Sequence, residues 1–191
     1  LFKHKLHMLP NFPPNITLIY GEPASGKTTL CLQHAAKTKG KVIFIDTENT
    51  FNPERILEIN PEYNLDNLIL FSAKRYSEQF SAVKNLKNIK NISLVIIDSF
   101  THYYRVKQQQ GIVITPPTIK QLQFLKALEV PVLLTSQVYS TQDKQHKPLA
   151  SHLWKNFARQ TIKLEKEPKR LLKTKYKQIS FKITGKGLEK I

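Results

Sequence analysis

Nine residues constrain this chain more than any others. Gly21-Glu22-Pro23-Ala24-Ser25-Gly26-Lys27-Thr28-Thr29 matches the spacing G-x-x-x-x-G-K-[ST] at every fixed position. The run before it, Ile16-Thr17-Leu18-Ile19-Tyr20, is β-branched and aromatic and reads as a strand. The run after it, Leu30 to Lys37, is made of helix-forming residues. Strand, glycine turn and helix in that order give the motif its physical meaning. Gly21 and Gly26 allow a tight turn and a close approach of backbone N–H groups to an anion. A helix starting near Lys27 points the positive end of its dipole at the same place. Lys27 would reach the β- and γ-phosphates of a nucleoside triphosphate, and the Thr28 hydroxyl would take Mg²⁺.

The rest of the chain repeats the strand-then-helix rhythm. Lys41 to Asp46 is a nearly continuous apolar run, as expected for a strand covered on both faces. Pro53 suits the first turn of a helix that continues through Ile59. Asn67 to Phe71 reads as a third strand and Tyr76 to Leu86 as a helix with one apolar face. Asn91 to Asp98 is a fourth strand ending in a carboxylate. Residues 107–117 read as an irregular connection, Thr118 to Glu129 as a helix and Val130 to Gln137 as a fifth strand. Residues 138–150 read as a polar connection. The runs 159–166, 170–174 and 178–184 read as antiparallel strands that extend the sheet. The fold class is therefore α/β, a doubly wound and mostly parallel sheet with antiparallel C-terminal strands. Residues 1–15 form a basic, proline-containing lead-in, and 16–191 one core.

In such a sheet, ligands bind outside the carboxyl ends of the strands. The loop Gly21–Thr28, Glu48, Asp98 and Gln137 each follow or end a strand and are expected along one edge. Asp98 reads as the acid that holds Mg²⁺, the alternative being an ordinary strand-ending carboxylate. Glu48 reads as a general base for an attacking water or as an exposed loop residue. Gln137 reads as a γ-phosphate partner or as a plain strand-end amide. Arg105 is expected to pair with a buried carboxylate.

Composition narrows the partners. The net charge is +16, and residues 159–191 carry 11 Lys and Arg against 3 Asp and Glu, half of the excess. A basic stretch of this kind is an electrostatic footprint for nucleic acid, although abundant lysine throughout the chain contributes to it. Lys144, Lys147 and the basic tail are candidates for phosphate contacts, and Tyr139 and Trp154 for base stacking. The single cysteine, Cys31, excludes an internal disulfide and fits a cytoplasmic protein. No apolar run is long enough to span a membrane, and the N-terminal residues lack the pattern of a secretory leader. His4 and His7 have helical spacing but no companion ligands, so they are read as solvated.

Four segments together resemble the motif series of the RecA/RadA recombinases, and most of all their archaeal RadB group. They are Tyr20 to Thr29, Ile45-Asp46-Thr47-Glu48-Asn49-Thr50-Phe51-Asn52-Pro53-Glu54-Arg55, Val95 to Ser99 with Tyr104-Arg105, and Val130 to Val138. The resemblance implies a RecA-like phosphate-loop fold, ATP and Mg²⁺ as ligands, at most slow DNA-dependent hydrolysis, and a part in homologous recombination and DNA repair. It implies DNA as partner, and a RadA-type recombinase or a junction resolvase as candidate protein partners. Carried over by motif, Gly21 to Thr29 bind the nucleotide, Thr28 and Asp98 hold the metal, Glu48 activates water and Gln137 senses the γ-phosphate. The connections 106–117 and 138–150 fall where the family has its two DNA-binding loops. Asn49 stands where the family has Gly, and Ser136 where it has Asn. The alternative function is a KaiC-like regulatory ATPase or phosphotransferase on the same fold, not acting on DNA.

Overall fold

The computed structural model describes residues 10–140 and 146–191. His4, His7 and Lys144 lie outside the described residues.

Five apolar runs form parallel strands, four of them inside the sheet and the third in sequence at its edge. They are β1 (Ile16–Gly21), β2 (Lys41–Asp46), β3 (Leu68–Ser72), β4 (Ile92–Asp98) and β5 (Val132–Ser136). A sixth, β8 (Gln160–Glu165), also runs parallel, beside β1. Between β5 and β8 lie a short antiparallel hairpin, β6 (Val138–Ser140) and β7 (His146–Pro148), and a helix. The chain ends in β9 (Leu171–Lys173), β10 (Gln178–Thr184) and β11 (Gly187–Lys190), each antiparallel to its neighbour. The nine-stranded order is β11-β10-β9-β8-β1-β5-β4-β2-β3.

Helices cover both faces, which is why the central strands are apolar along their whole length. On one face lie α1 (Lys27–Ala35) and α2 (Pro53–Ile59), burying Leu30, Leu32, Ile56 and Ile59 against Phe44, Ile96 and Leu133. On the other lie α3 (Tyr76–Asn85), α4 (His102–Gln109), α5 (Thr115–Lys126) and α6 (Ser151–Phe157). They bring Val83, Tyr104, Leu122, Leu125 and Trp154 against Ile43, Val95, Ile97 and Leu134. Cys31 is fully buried, and burial pushes its thiol well above the ordinary range.

Several sequence expectations are corrected here. Residues 107–117 are not irregular throughout: α4 continues to Gln109, and α5 begins at Thr115. Pro116 and Pro117 fall in the first turn of α5, where a missing N–H costs nothing. The 138–150 connection contains the β6–β7 hairpin. β8 runs parallel to β1 because α6 carries the chain back across the sheet before it enters. Trp154 is not free to stack on bases. It is buried, its ring lies edge-on to Phe100 at 5.8 Å, and its indole N–H donates to the Leu149 carbonyl. Tyr139, on β6, is 41 % exposed and remains available. Arg105 makes no ion pair among the described residues, and its buried Nε has no hydrogen-bond partner there. At the start of the described chain, Phe12 is buried and packs edge-on against His34 of α1 at 4.0 Å.

Candidate functional site

The loop between β1 and α1 is held open by glycine. A Cβ at Gly21 would sit 2.2 Å from the Leu164 carbonyl oxygen of β8, and one at Gly26 would meet Ile183 at 3.1 Å. Gly26 caps α1 with φ 106°, and Ala24 takes a left-handed φ of 59°. The Lys27 ammonium donates to the Gly21 and Glu22 carbonyls at 2.9 and 2.8 Å. Burial pushes the Lys27 pKa down, while the Asp98 and Glu48 carboxylates oppose that shift. Pro23 and Ala24 are exposed, and Thr29 is partly buried in the first turn of α1.

Asp98 ends β4 almost completely buried. Thr28 Oγ1 donates to its Oδ2 at 2.6 Å, and Thr135 of β5 donates to its Oδ1. Burial raises the Asp98 pKa above the usual carboxylate range, with the two hydroxyl bonds pulling the other way.

Glu48 is delivered by a laced turn. Asp46 ends β2 directly opposite Asp98 and accepts from the Glu48 and Phe51 amides at 3.1 and 2.8 Å. Thr47 donates its amide to the Asp98 carbonyl, and its hydroxyl exchanges bonds with the Ser99 backbone. Asn49 sits at φ 56°, a left-handed position that glycine takes freely and that asparagine tolerates better than most residues. The substitution of the family glycine by Asn49 therefore keeps the turn.

Gln137 follows β5, its amide N–H donating to Thr101 Oγ1 at 3.3 Å and its carbonyl accepting from Ser136 Oγ at 2.8 Å. Its side-chain Nε2 donates to Glu48 Oε1 at 2.7 Å. The four segments thus converge on one edge of the sheet. Two further groups join them that sequence reasoning did not single out. His102, in the first turn of α4, places Nδ1 3.6 Å from Glu48 Oε1. His146, at the start of β7, places Nε2 3.4 Å from Glu22 Oε1. Position alone could have flagged His102, which lies four residues beyond a strand-ending acid at the ligand edge. His146 carries no local signal.

The geometry suits a triphosphate with a divalent cation. The loop offers backbone N–H groups where no Cβ intrudes. Ser25 Oγ and Gln137 Oε1 are buried without a hydrogen-bond partner among the described residues. Thr28 and Asp98 supply the hard oxygen donors that Mg²⁺ prefers.

Parallel strands carrying a phosphate-loop turn at their carboxyl edge define the phosphate-loop class of nucleotide-binding folds. The family model named Rad51 matches residues 13–173. The DNA repair and recombination protein RadB of Thermococcus onnurineus is 32 % identical over 202 residues, covering 94 % of this chain and 90 % of that protein. RadB of Methanococcoides burtonii is 34 % identical over 167 residues, covering 79 % and 74 %. A crystal structure of the RadB recombinase superposes with a TM-score of 0.81 at 30 % identity, over 98 % of this chain and 97 % of that one. The chain belongs to the Rad51 family, and within it to the RadB group. Among the described residues no helix is long and apolar enough to cross a membrane.

Proposed function

We propose that this chain is an ATP- and DNA-binding protein of homologous recombination and DNA repair, acting in the cytoplasm, with slow and DNA-modulated ATP hydrolysis. The observation that carries the reading is the convergence just described: Thr28 on Asp98 at 2.6 Å, and Gln137 on Glu48 at 2.7 Å, beside the Lys27 loop. The relatives named above are recombination proteins, and these are the residues to which the motif resemblance assigns the nucleotide roles.

In this reading the loop amides and Lys27 hold the β- and γ-phosphates. Thr28 and Asp98 hold Mg²⁺, which neutralises charge on the phosphate oxygens when bound. Glu48 accepts a proton from the water that attacks the γ-phosphorus as the bond to the β–γ bridging oxygen breaks. Gln137 exchanges its bond to Glu48 for one to the γ-phosphate. Because Gln137 leads directly into β6, that exchange reaches the hairpin that stands where the family binds DNA. Basic side chains there and in the tail contact DNA phosphates. A RadA-type recombinase or a junction resolvase is the protein partner this reading favours.

The test is ATP turnover with and without single-stranded DNA at two salt concentrations. The expected result is slow turnover, changed by DNA at low salt and much less at high salt, because phosphate contacts release counterions. Glu48→Gln should lower the rate by about 10²- to 10⁴-fold. Turnover indifferent to DNA at both salts would remove DNA from the assignment.

A further inference from the structure

The connection between β8 and β9, residues 166–170, returns to the phosphate loop from outside the motif. Register fixes where it can go. Gly21 pairs with Leu164, so β8 runs beside the start of the loop. Leu164 and Leu172 are buried with Leu30 and Cys31 of α1 in one apolar cluster, which anchors both arms of the hairpin beneath that helix. Glu165 pairs with Lys163 along β8 at 2.8 Å and with Lys173 across the pair at 2.6 Å, and the Arg170 carbonyl accepts from Phe181 on β10. The turn therefore has a fixed direction, and at its end Arg170 Nη1 donates to the Ala24 carbonyl at 2.8 Å.

Ala24 is the loop residue that needs such a tether. Its φ of 59° lies in the left-handed region, where a side chain with a Cβ is strained and stays only if its surroundings hold it. Lys27 already takes the carbonyls of Gly21 and Glu22. With Arg170 on Ala24, three of the first four carbonyls of the loop are bound by cations. Carbonyls held in this way keep the loop backbone in one conformation, with the Ser25 N–H closing a turn onto the Glu22 carbonyl at 3.2 Å.

We propose that Arg170 is a positioning residue for nucleotide binding: a guanidinium from the C-terminal hairpin that holds Ala24 in its left-handed turn, so that the loop is preorganised for phosphate. The role presupposes the nucleotide site proposed above. Arg170 does not touch the reacting atoms. Its loss lowers affinity for ATP and ADP together and leaves the rate at saturation unchanged, because the brace acts equally on ground and transition states.

The experiment measures binding of a fluorescent ATP analogue with Mg²⁺ to the full chain, to Arg170→Ala and to Arg170→Lys, alongside the nucleotide-free melting temperature of each. Arg170→Ala should bind about tenfold more weakly, as expected for loss of one charge-assisted hydrogen bond at a partly exposed site, with its melting temperature unchanged. Arg170→Lys, which keeps a donor, should recover most of the affinity. Equal affinity of wild type and Arg170→Ala would overturn the brace while leaving the nucleotide site standing. A lysine variant as weak as alanine, or a fall in melting temperature that accounts for the lost affinity, would overturn it as well. Absence of binding by the wild-type chain would instead overturn the nucleotide site itself, and the brace with it.

Discussion

The six parallel strands and the three antiparallel strands are built from opposite residue patterns. β4 buries Leu94, Val95, Ile96 and Ile97 in succession, because helices cover both of its faces. β10 fully buries only Phe181, and its other residues are exposed or half-buried. The two halves also divide the work. The parallel half ends in Thr28's partner Asp98, in the Glu48 turn and in Gln137. The antiparallel half brings no carboxylate or amide to that edge. It holds the edge in place instead, through Arg170 on Ala24 and through the Thr184 and Gly185 carbonyls, which accept from Arg55 of α2. Chemistry sits on rigid, fully covered strands, and the solvated sheet beside them acts as a brace.

Five substitutions, one of them followed across pH, would break or sharpen this contrast. The largest effect is expected at Phe44, a fully buried residue of β2 that packs on Phe51 at 4.8 Å. Phe44→Ala should cost about 3–5 kcal/mol in chemical denaturation. Half-buried Ile179 on β10 should cost roughly 1 kcal/mol when cut to Ala. Equal losses would erase the distinction between the halves. Next in size, Lys27→Ala should weaken ATP binding by about 1.5–3 kcal/mol, seen by calorimetry, with folding stability close to wild type. A stability loss without an affinity loss would make Lys27 a structural residue.

A third effect comes from His34 on α1, the helix that both halves share. Burial, then the nearby Lys37 charge, push its pKa down to about 3, with a Pro10 carbonyl bond opposing. The unfolded chain takes up this proton near pH 6.5, but the folded chain does so only near pH 3. Stability should therefore fall as pH drops through that window, by up to about 1.4 kcal/mol per pH unit from this residue. His34→Leu should flatten a denaturation series between pH 7 and 4.5, and an unchanged slope would place the acid sensitivity elsewhere. The smallest effect is expected at Glu165. Burial raises its pKa, but the Lys163 and Lys173 hydrogen bonds outweigh that and leave it lowered. Glu165→Gln should cost no more than about 1 kcal/mol, since partly exposed ion pairs contribute little.

The same contrast explains what could be read without coordinates. Strands β1, β2, β4 and β5 were legible because a two-sided sheet demands apolar runs, and the phosphate loop because its glycines and lysine have fixed spacing. Asp98, Glu48 and Gln137 were legible as neighbours because each leaves a parallel strand at the same end. The direction of β8 was not, since alternation in Gln160 to Leu164 says nothing about which neighbour the strand meets. Nor was α4, whose Gln108-Gln109-Gln110 end mimics a loop and whose only buried side chain is Tyr104. α5 starts and ends three residues earlier than its pattern suggests, because Pro116 and Pro117 look like breakers until the helix start is known. Arg170 and His146 reach the loop through tertiary packing, which leaves no trace in local sequence.

The most direct test is a crystal structure of the chain with Mg²⁺ and a non-hydrolysable ATP analogue. The account predicts the γ-phosphate against Lys27, the cation between Thr28 and Asp98, and the Gln137 amide moved from Glu48 onto a γ-phosphate oxygen. An analogue bound elsewhere, or seated in the loop with the Gln137–Glu48 bond intact and the γ-phosphate out of reach of both, would contradict it.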